Sequence, residues 1–162
     1  NNGDNTVSLL LGNGTGGFAA GIDFPVGKGA TLLAVGELNG DQKLDVAVTN
    51  FDDNSISVLL GSGTGSFAAA TRYAVGKSPG AIKLADLNGD QRQDVMVANG
   101  SSSNFSVLMG TATGGLTAAI NFSFGSGPAD LAVGDVNGDQ KPDLILSNSA
   151  HGSVTLALNR SL

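Results

Sequence analysis

The 162-residue chain has no cysteine, no tryptophan, one tyrosine and one histidine. Without cysteine there is no disulfide framework, no thiol nucleophile and no thiolate metal site. The single histidine, His151, falls where related stretches of the chain carry Asp53 and Ser102, so no serine–histidine–carboxylate arrangement recurs. Charged residues make up only 14% of the chain, well under the usual quarter. Eight basic residues against fourteen acidic ones leave a net charge of −6. That balance argues against a nucleic-acid or anionic-membrane surface. No apolar run approaches the roughly 18 residues of a membrane span. The opening Asn1-Asn2-Gly3-Asp4 is no signal peptide, and the expectation is a chain that starts downstream of one and works outside the cell or at its surface. At 16.0 kDa the chain is one domain's worth, long enough for a sizeable core.

What the chain does have is a nine-residue stretch in triplicate. Glu37-Leu38-Asn39-Gly40-Asp41-Gln42-Lys43-Leu44-Asp45 returns from Asp86 to Asp94 and again from Asp135 to Asp143, a constant step of 49 residues. Nine of the fourteen acidic residues lie in these stretches, so the acidity is local. Oxygen-bearing side chains stand at the first, third, fifth and ninth places: Glu37, Asn39, Asp41 and Asp45; Asp86, Asn88, Asp90 and Asp94; Asp135, Asn137, Asp139 and Asp143. An Asn-Gly turn between alternating hard oxygens lets a short loop wrap one cation, and Ca²⁺ takes six to eight such ligands in irregular geometry. The seventh place (Lys43, Arg92, Lys141) would add its backbone carbonyl while its charge points to solvent. A plain hairpin turn explains the Asn-Gly but not a carboxylate on both sides and another four residues on. The sixth place is Gln42, Gln91 and Gln140, where a loop needing positive φ favours glycine. That predicts weaker sites, by about 1 kcal/mol each.

The period extends beyond the loops and therefore dictates architecture. Val7–Gly12 returns as Ile56–Gly61, as Phe105–Gly110 and as Val154–Leu158, each with strand-like alternation. The glycine-rich stretches that follow (Gly12–Phe18, Gly61–Phe67, Gly110–Leu116) lead into further alternating residues and so read as hairpins. Phosphate-binding glycine loops instead open a helix. The next strands, Ile22–Val26, Thr71–Val75 and Ile120–Phe124, are the weakest. Pro25 removes a backbone donor and marks them as outer edges. A strand then enters each acidic loop: Leu33, Val35 and Leu38; Ile82, Leu84 and Leu87; Leu131, Val133 and Val136. Small residues between them admit a neighbouring sheet. After each loop comes an apolar run (Val46-Ala47-Val48, Val95-Met96-Val97, Leu144-Ile145-Leu146) with no polar face, predicting burial on both sides. No segment reads as a capped helix. The fold class is all-β, with three consecutive 49-residue four-stranded antiparallel blades of a β-propeller, partial or completed by oligomerisation. The expected division is 1–29 as a partial blade, 30–78 and 79–127 as blades, and 128–162 as a blade lacking its last strand.

These residues resemble the FG-GAP (VCBS) repeat, the blade of integrin α-chain-type propellers. The third copy carries the signature most fully: Phe124-Gly125, Gly127-Pro128-Ala129, then Val133-Gly134-Asp135-Val136-Asn137-Gly138-Asp139. The resemblance covers essentially the whole chain. It implies Ca²⁺ binding in the loop between a blade's first two strands, by Asp86, Asn88, Asp90 and Asp94 and by Asp135, Asn137, Asp139 and Asp143. Asn39, Asp41 and Asp45 match in the first loop, with Glu37 a departure. A dockerin module shares a similar run, but there the loop leads into a helix.

Three repeats cannot close a ring, so the expectation is a piece of a longer array or self-association that covers the end faces. Carboxylates that fill a cation's shell are not free for acid–base work, and no enzyme is expected. The expected function is a calcium-stabilised extracellular binding or adhesion scaffold with a protein or glycan ligand. The alternatives are a lectin-type propeller, which would need aromatic platforms at blade junctions, and an accessory module of a larger secreted enzyme.

Overall fold

The computed structural model describes residues 1–123 and 127–160. Among these residues there are thirteen strands and no helix. β1 (Thr6–Leu9) and β2 (Ile22–Pro25) form a two-stranded sheet. β3 (Ala30–Gly36), β4 (Asp45–Asn50), β5 (Ser55–Leu59) and β6 (Thr71–Ala74) form a four-stranded one. β7 (Pro79–Ala85), β8 (Asp94–Asn99), β9 (Asn104–Leu108) and β10 (Ile120–Ser123) repeat it. β11 (Pro128–Gly134), β12 (Asp143–Asn148) and β13 (Ser153–Ala157) supply three strands of a fourth sheet. Every pairing is antiparallel between chain neighbours. Each sheet is therefore a meander, and the strands without a second partner include β2, which tolerates Pro25. The first strand of each larger sheet slips register near its start, at Ala30/Leu33, Pro79/Ile82 and Pro128/Asp130. Each glycine-rich stretch closes as a hairpin, through the bridges Gly12–Phe18, Gly61–Phe67 and Gly110–Leu116. Phe124 and Gly125 of the signature motif, the first also the expected end of the strand from Ile120, lie outside the described residues.

The sheets pack face to face, and side-chain alternation decides which core each residue enters. Val46 and Val48 point toward the first sheet and pack with Val26 and Leu59, while Ala47 points the other way. One repeat later Val95 and Val97 join Ala47, Ile56 and Val58 in the second core, and Met96 and Ala98 enter the third. Leu144 and Leu146 complete that third core against Met96 and Phe105. The apolar runs after the acidic loops are thus buried on both faces wherever a sheet lies on each side. Truncating Met96, which is fully buried, to alanine costs about 2–5 kcal/mol on general grounds.

The first strands depart from the sequence expectation in one copy. Ile82 and Leu131 are 4% and 3% exposed, but Leu33, their equivalent, is 52% exposed and Val35 is exposed with it. The cause is geometric. The residues at these places face the preceding sheet, and before β3 that sheet consists of β1 and β2 alone.

Polar clasps join successive sheets. The Gly27 N–H donates to Asn50 Oδ1 and to Ser57 Oγ, both at 3.1 Å, and Asn50 Nδ2 donates to Ser55 and Ser57. A Cβ on Gly27 would lie 2.4 Å from Asn50 Cγ, so only glycine lets the connection pass. In the next sheet Asn99 makes the same bonds within its own sheet, to Asn104 and Ser106, and the Gly76 N–H crosses to Ser106 Oγ and not to Asn99. Asn148 donates to Ser153 and Thr155 within its sheet. Arg72 adds a further bridge, donating to Val26 O at 3.1 Å and pairing with Asp53.

Candidate metal centre

Each acidic stretch is the loop between the first two strands of its sheet, so the meander places the three loops at the same end of successive sheets. Their backbones share one conformation. The glycine of the Asn-Gly pair has φ of 80°, 77° and 81° at Gly40, Gly89 and Gly138. The sixth place has φ of 63°, 66° and 64° at Gln42, Gln91 and Gln140. A left-handed residue with a side chain is costly, and the chain bears that cost three times in the same place.

The side-chain oxygens organise this backbone. Asp86 accepts the N–H groups of Gly89 at 2.7 Å and Asp90 at 3.2 Å through Oδ1, and of Gln91 at 2.7 Å through Oδ2. Asp135 does the same with Asn137, Gly138 and Gln140. Glu37 accepts from Asn39 and Gly40. Asn39, Asn88 and Asn137 accept the fifth-place N–H at 3.0, 3.0 and 2.9 Å. Asp41, Asp90 and Asp139 accept the seventh-place N–H at 2.9 Å in every copy. At Asp41, Asp90 and Asp135 these bonds favour the ionised carboxylate. The Gln140 N–H leads in holding the Asp135 carboxyl below its usual range, and the Arg92 N–H leads for Asp90. For Asp41 the chief cause is the Lys43 side chain.

The ninth place behaves differently. Asp45, Asp94 and Asp143 are fully buried. Oδ2 of each accepts the second-place N–H, from Leu38 and Leu87 at 2.8 Å and Val136 at 3.1 Å. Oδ1 accepts an N–H just after the third strand, from Gly61, Gly110 and Asn159, all at 2.8 Å. One carboxylate thereby ties the loop to the far side of the hairpin. Burial pushes the Asp94 carboxyl up, against the lowering effect of its two N–H donors.

The seventh place corrects the sequence expectation. The Lys43 ammonium lies 3.0 Å from Asp41, and the Arg92 guanidinium 2.9 Å from Asp90. Their charges fold back onto the fifth-place carboxylate because a long cationic side chain two residues away reaches the densest negative charge nearby. His151 is exposed in the turn between β12 and β13.

The donor set consists of hard oxygens, which fits Ca²⁺ in kind. The described conformation turns those oxygens onto the loop's own N–H groups, and no three carboxylates or imidazoles converge on one point among the described residues. Sequence reasoning missed the ninth-place tie and the asparagine clasp. Both had a signal, since Gly61/Gly110 and Asn50/Asn99/Asn148 recur at the 49-residue step.

Meandering four-stranded sheets stacked face to face at a fixed period define a repeat module of the β-propeller type. The FG-GAP-like repeat model matches twice, over residues 37–97 and 86–146, and the chain belongs to that family. No curated protein matches. Among solved structures, a chain of the Tc holotoxin pore of Photorhabdus luminescens is similar over 95% of this chain, with 20% identity and a TM-score of 0.53. This chain spans only 8% of that one, and the likeness concerns the fold.

Proposed function

We propose that the chain is a calcium-stabilised, non-catalytic propeller module acting outside the cell, where its loops present a binding or adhesion surface, as an accessory part of a larger protein. The observation that carries this reading is the threefold recurrence of one loop conformation with hard oxygens at the same places. Asp86, Asn88 and Asp90 would offer side-chain oxygens and Arg92 its carbonyl. Asp94 would offer the outer lone pairs of a carboxylate already fixed by two N–H groups. The corresponding residues are Glu37, Asn39, Asp41, Lys43 and Asp45, and Asp135, Asn137, Asp139, Lys141 and Asp143. Bound Ca²⁺ would supply charge neutralisation and rigidity, not chemistry.

The expected gain follows from linkage. At ten times the dissociation constant each site adds about 1.4 kcal/mol, and extracellular-type sites bind in the range of about 10⁻⁴–10⁻³ M. Thermal unfolding with Ca²⁺, Mg²⁺ and excess chelator tests the reading. A midpoint raised by millimolar Ca²⁺ and not by Mg²⁺ supports it, and identical midpoints in all three overturn it. Glycan-array binding by the same preparation would redirect the ligand from protein to sugar.

A further inference from the structure

Six Asn-Gly pairs occur in the chain, at Asn2, Asn13, Asn39, Asn88, Asn99 and Asn137. Such a pair is open to ring closure, because glycine leaves its backbone nitrogen unshielded and free to turn toward the preceding carboxamide. The structure separates the six. Asn99 is fully buried, and Ser78 O takes the Gly100 N–H at 3.0 Å. In the acidic loops the glycine N–H donates to a carboxylate: Gly40 to Glu37, Gly89 to Asp86 and Gly138 to Asp135. Taking a proton from a nitrogen held there would set a second negative charge against the first, which Coulomb repulsion opposes. Asn2 is exposed and its carboxamide has no hydrogen bond among the described residues, so it gives the unassisted rate.

Asn13 has different surroundings. It stands exposed in the hairpin between β1 and β2. Its Oδ1 accepts three donors, the Thr15 N–H and hydroxyl at 2.9 Å each and the Gly17 N–H at 3.0 Å. No acceptor among the described residues holds the Gly14 N–H, and nothing lies within 4 Å of the place a Gly14 Cβ would take. Ser62, at the same repeat place one blade on, is exposed as well. The accessibility therefore belongs to the hairpin and not to its position in the array. A free nucleophilic nitrogen and a carbonyl oxygen cradled by three donors are the two halves of an acyl-transfer site.

We propose that Asn13 is a self-modification site, where the carboxamide cyclises onto Gly14 and hydrolyses to aspartate or isoaspartate with water as the only co-reactant. The Gly14 nitrogen gives its proton to solvent hydroxide and attacks Asn13 Cγ. The carbonyl electrons pass to Oδ1, where the Thr15 and Gly17 donors hold the negative charge. They return to the carbonyl as the Cγ–Nδ2 bond breaks, and Nδ2 leaves as ammonia with a proton from solvent. Water then opens the succinimide at either carbonyl. The sum converts one carboxamide and one water into one carboxylate and one ammonium, with no redox step. Ser62 and Thr111 hold the repeat place of Asn13 and cap their hairpins through hydroxyls, accepting the Thr64 N–H at 3.2 Å and the Gly115 N–H at 3.1 Å. Neither has a carboxamide to lose. Isoaspartate adds a methylene to the main chain next to the Asn13 N–H, which donates to Gly17 O at 3.0 Å, and so loosens the pairing that closes this hairpin. Either product adds a negative charge to a chain already at −6.

Incubation of the folded chain in mildly alkaline buffer with chelator tests this, read by peptide mapping and by isoaspartyl methyltransferase labelling. Asn13 should convert about threefold faster than Asn2 and about tenfold faster than Asn39, Asn88, Asn99 or Asn137. Both factors fall short of the roughly 100-fold that one oxyanion donor supplies in a water-excluded enzyme site, because this cradle lies in solvent. In guanidinium the rates should converge, since every pair is then an unstructured Asn-Gly. Thr15→Val deletes the hydroxyl donor at an exposed position and should slow Asn13 about threefold in the folded chain, with no change in guanidinium. A folded-state rate at Asn13 equal to or below that of Asn2 overturns the proposal, as does a Thr15→Val chain that converts at the parent rate. The chemistry needs no metal, so either failure leaves the calcium response of the thermal midpoints to be read on its own.

Discussion

Replacing Asp94 tests how the loops are held independently of any metal. Its carboxylate is fully buried and accepts the Leu87 and Gly110 N–H groups, each at 2.8 Å. Asp94→Ala removes both acceptors at once. A buried donor left without a partner costs about 1–3 kcal/mol, so the pair sums to about 2–6 kcal/mol. Relief of the buried charge, the same cause that pushes the carboxyl up, draws the net effect toward the lower end. Asp94→Asn keeps one acceptor oxygen and turns an NH₂ toward the other donor, so about 2 kcal/mol is expected. For a chain of this size each kcal/mol moves the midpoint by about 2–4 °C. Asp94→Ala should therefore lower it by roughly 5–15 °C. The assay is urea and thermal unfolding in chelator, where metal ligation plays no part. Asp139→Asn, in an exposed part of the third loop, serves as the comparison and should change stability far less. If Asp94→Ala shifts stability by under 0.5 kcal/mol in chelator, the ninth-place tie is not structural and the reasoning fails.

Three further outcomes are expected. Gln91→Gly relieves a left-handed residue at φ 66° and should stabilise the chain by about 0.5–1 kcal/mol after the entropy of glycine is counted. Gln42, Gln91 and Gln140 changed together should add nearly independently, as read by denaturant midpoint at constant slope. Gly61→Ala drives a Cβ to 2.1 Å from the Leu44 carbonyl oxygen and should cost about 1–3 kcal/mol by overpacking. Gly12→Ala, whose Cβ would meet only Phe18 at 3.9 Å, should be close to neutral in the same urea titration. The third outcome concerns acid. The carboxyls of Asp41, Asp90 and Asp135 are held below the ordinary aspartate value by the hydrogen bonds they accept. Their stabilisation is present above that value and is lost as pH falls through their lower folded values. Asp94 runs the other way, because its raised folded value makes protonation favour the folded state. In chelator, stability should decline below about pH 4, and Asp94→Asn should remove the opposing component. A flat profile from pH 5 to 2 would contradict this assignment.

Much of the architecture was legible because the 49-residue step repeats every local signal. Val95-Met96-Val97 lacks a polar face and is buried on both sides, and Pro25 falls on an edge strand, each for the reason visible in the sequence. The exposure of Leu33 was not legible. Its pattern matches Ile82 and Leu131, and the difference lies in how many strands the preceding sheet contributes, which is a property of position in the array. At the loops, residue types and the strained sixth place could be read directly. The fold-back of Lys43 and Arg92 could not, because sequence spacing gives reach without direction. The dual role of Asp45, Asp94 and Asp143 depends on an N–H some sixteen residues away that only the hairpin brings near.

Under the proposed function, three equivalent loops hold calcium. Calorimetric titration of the metal-free chain with Ca²⁺, repeated with Mg²⁺, tests it most directly. Ca²⁺ should bind at sub-millimolar to millimolar concentration, with a stoichiometry approaching three and little response to Mg²⁺. Asp90→Ala should lose one site and Asp139→Ala another. Absence of Ca²⁺ binding at millimolar concentration, or equal response to both cations, would contradict it and leave the loops as hydrogen-bonded turns.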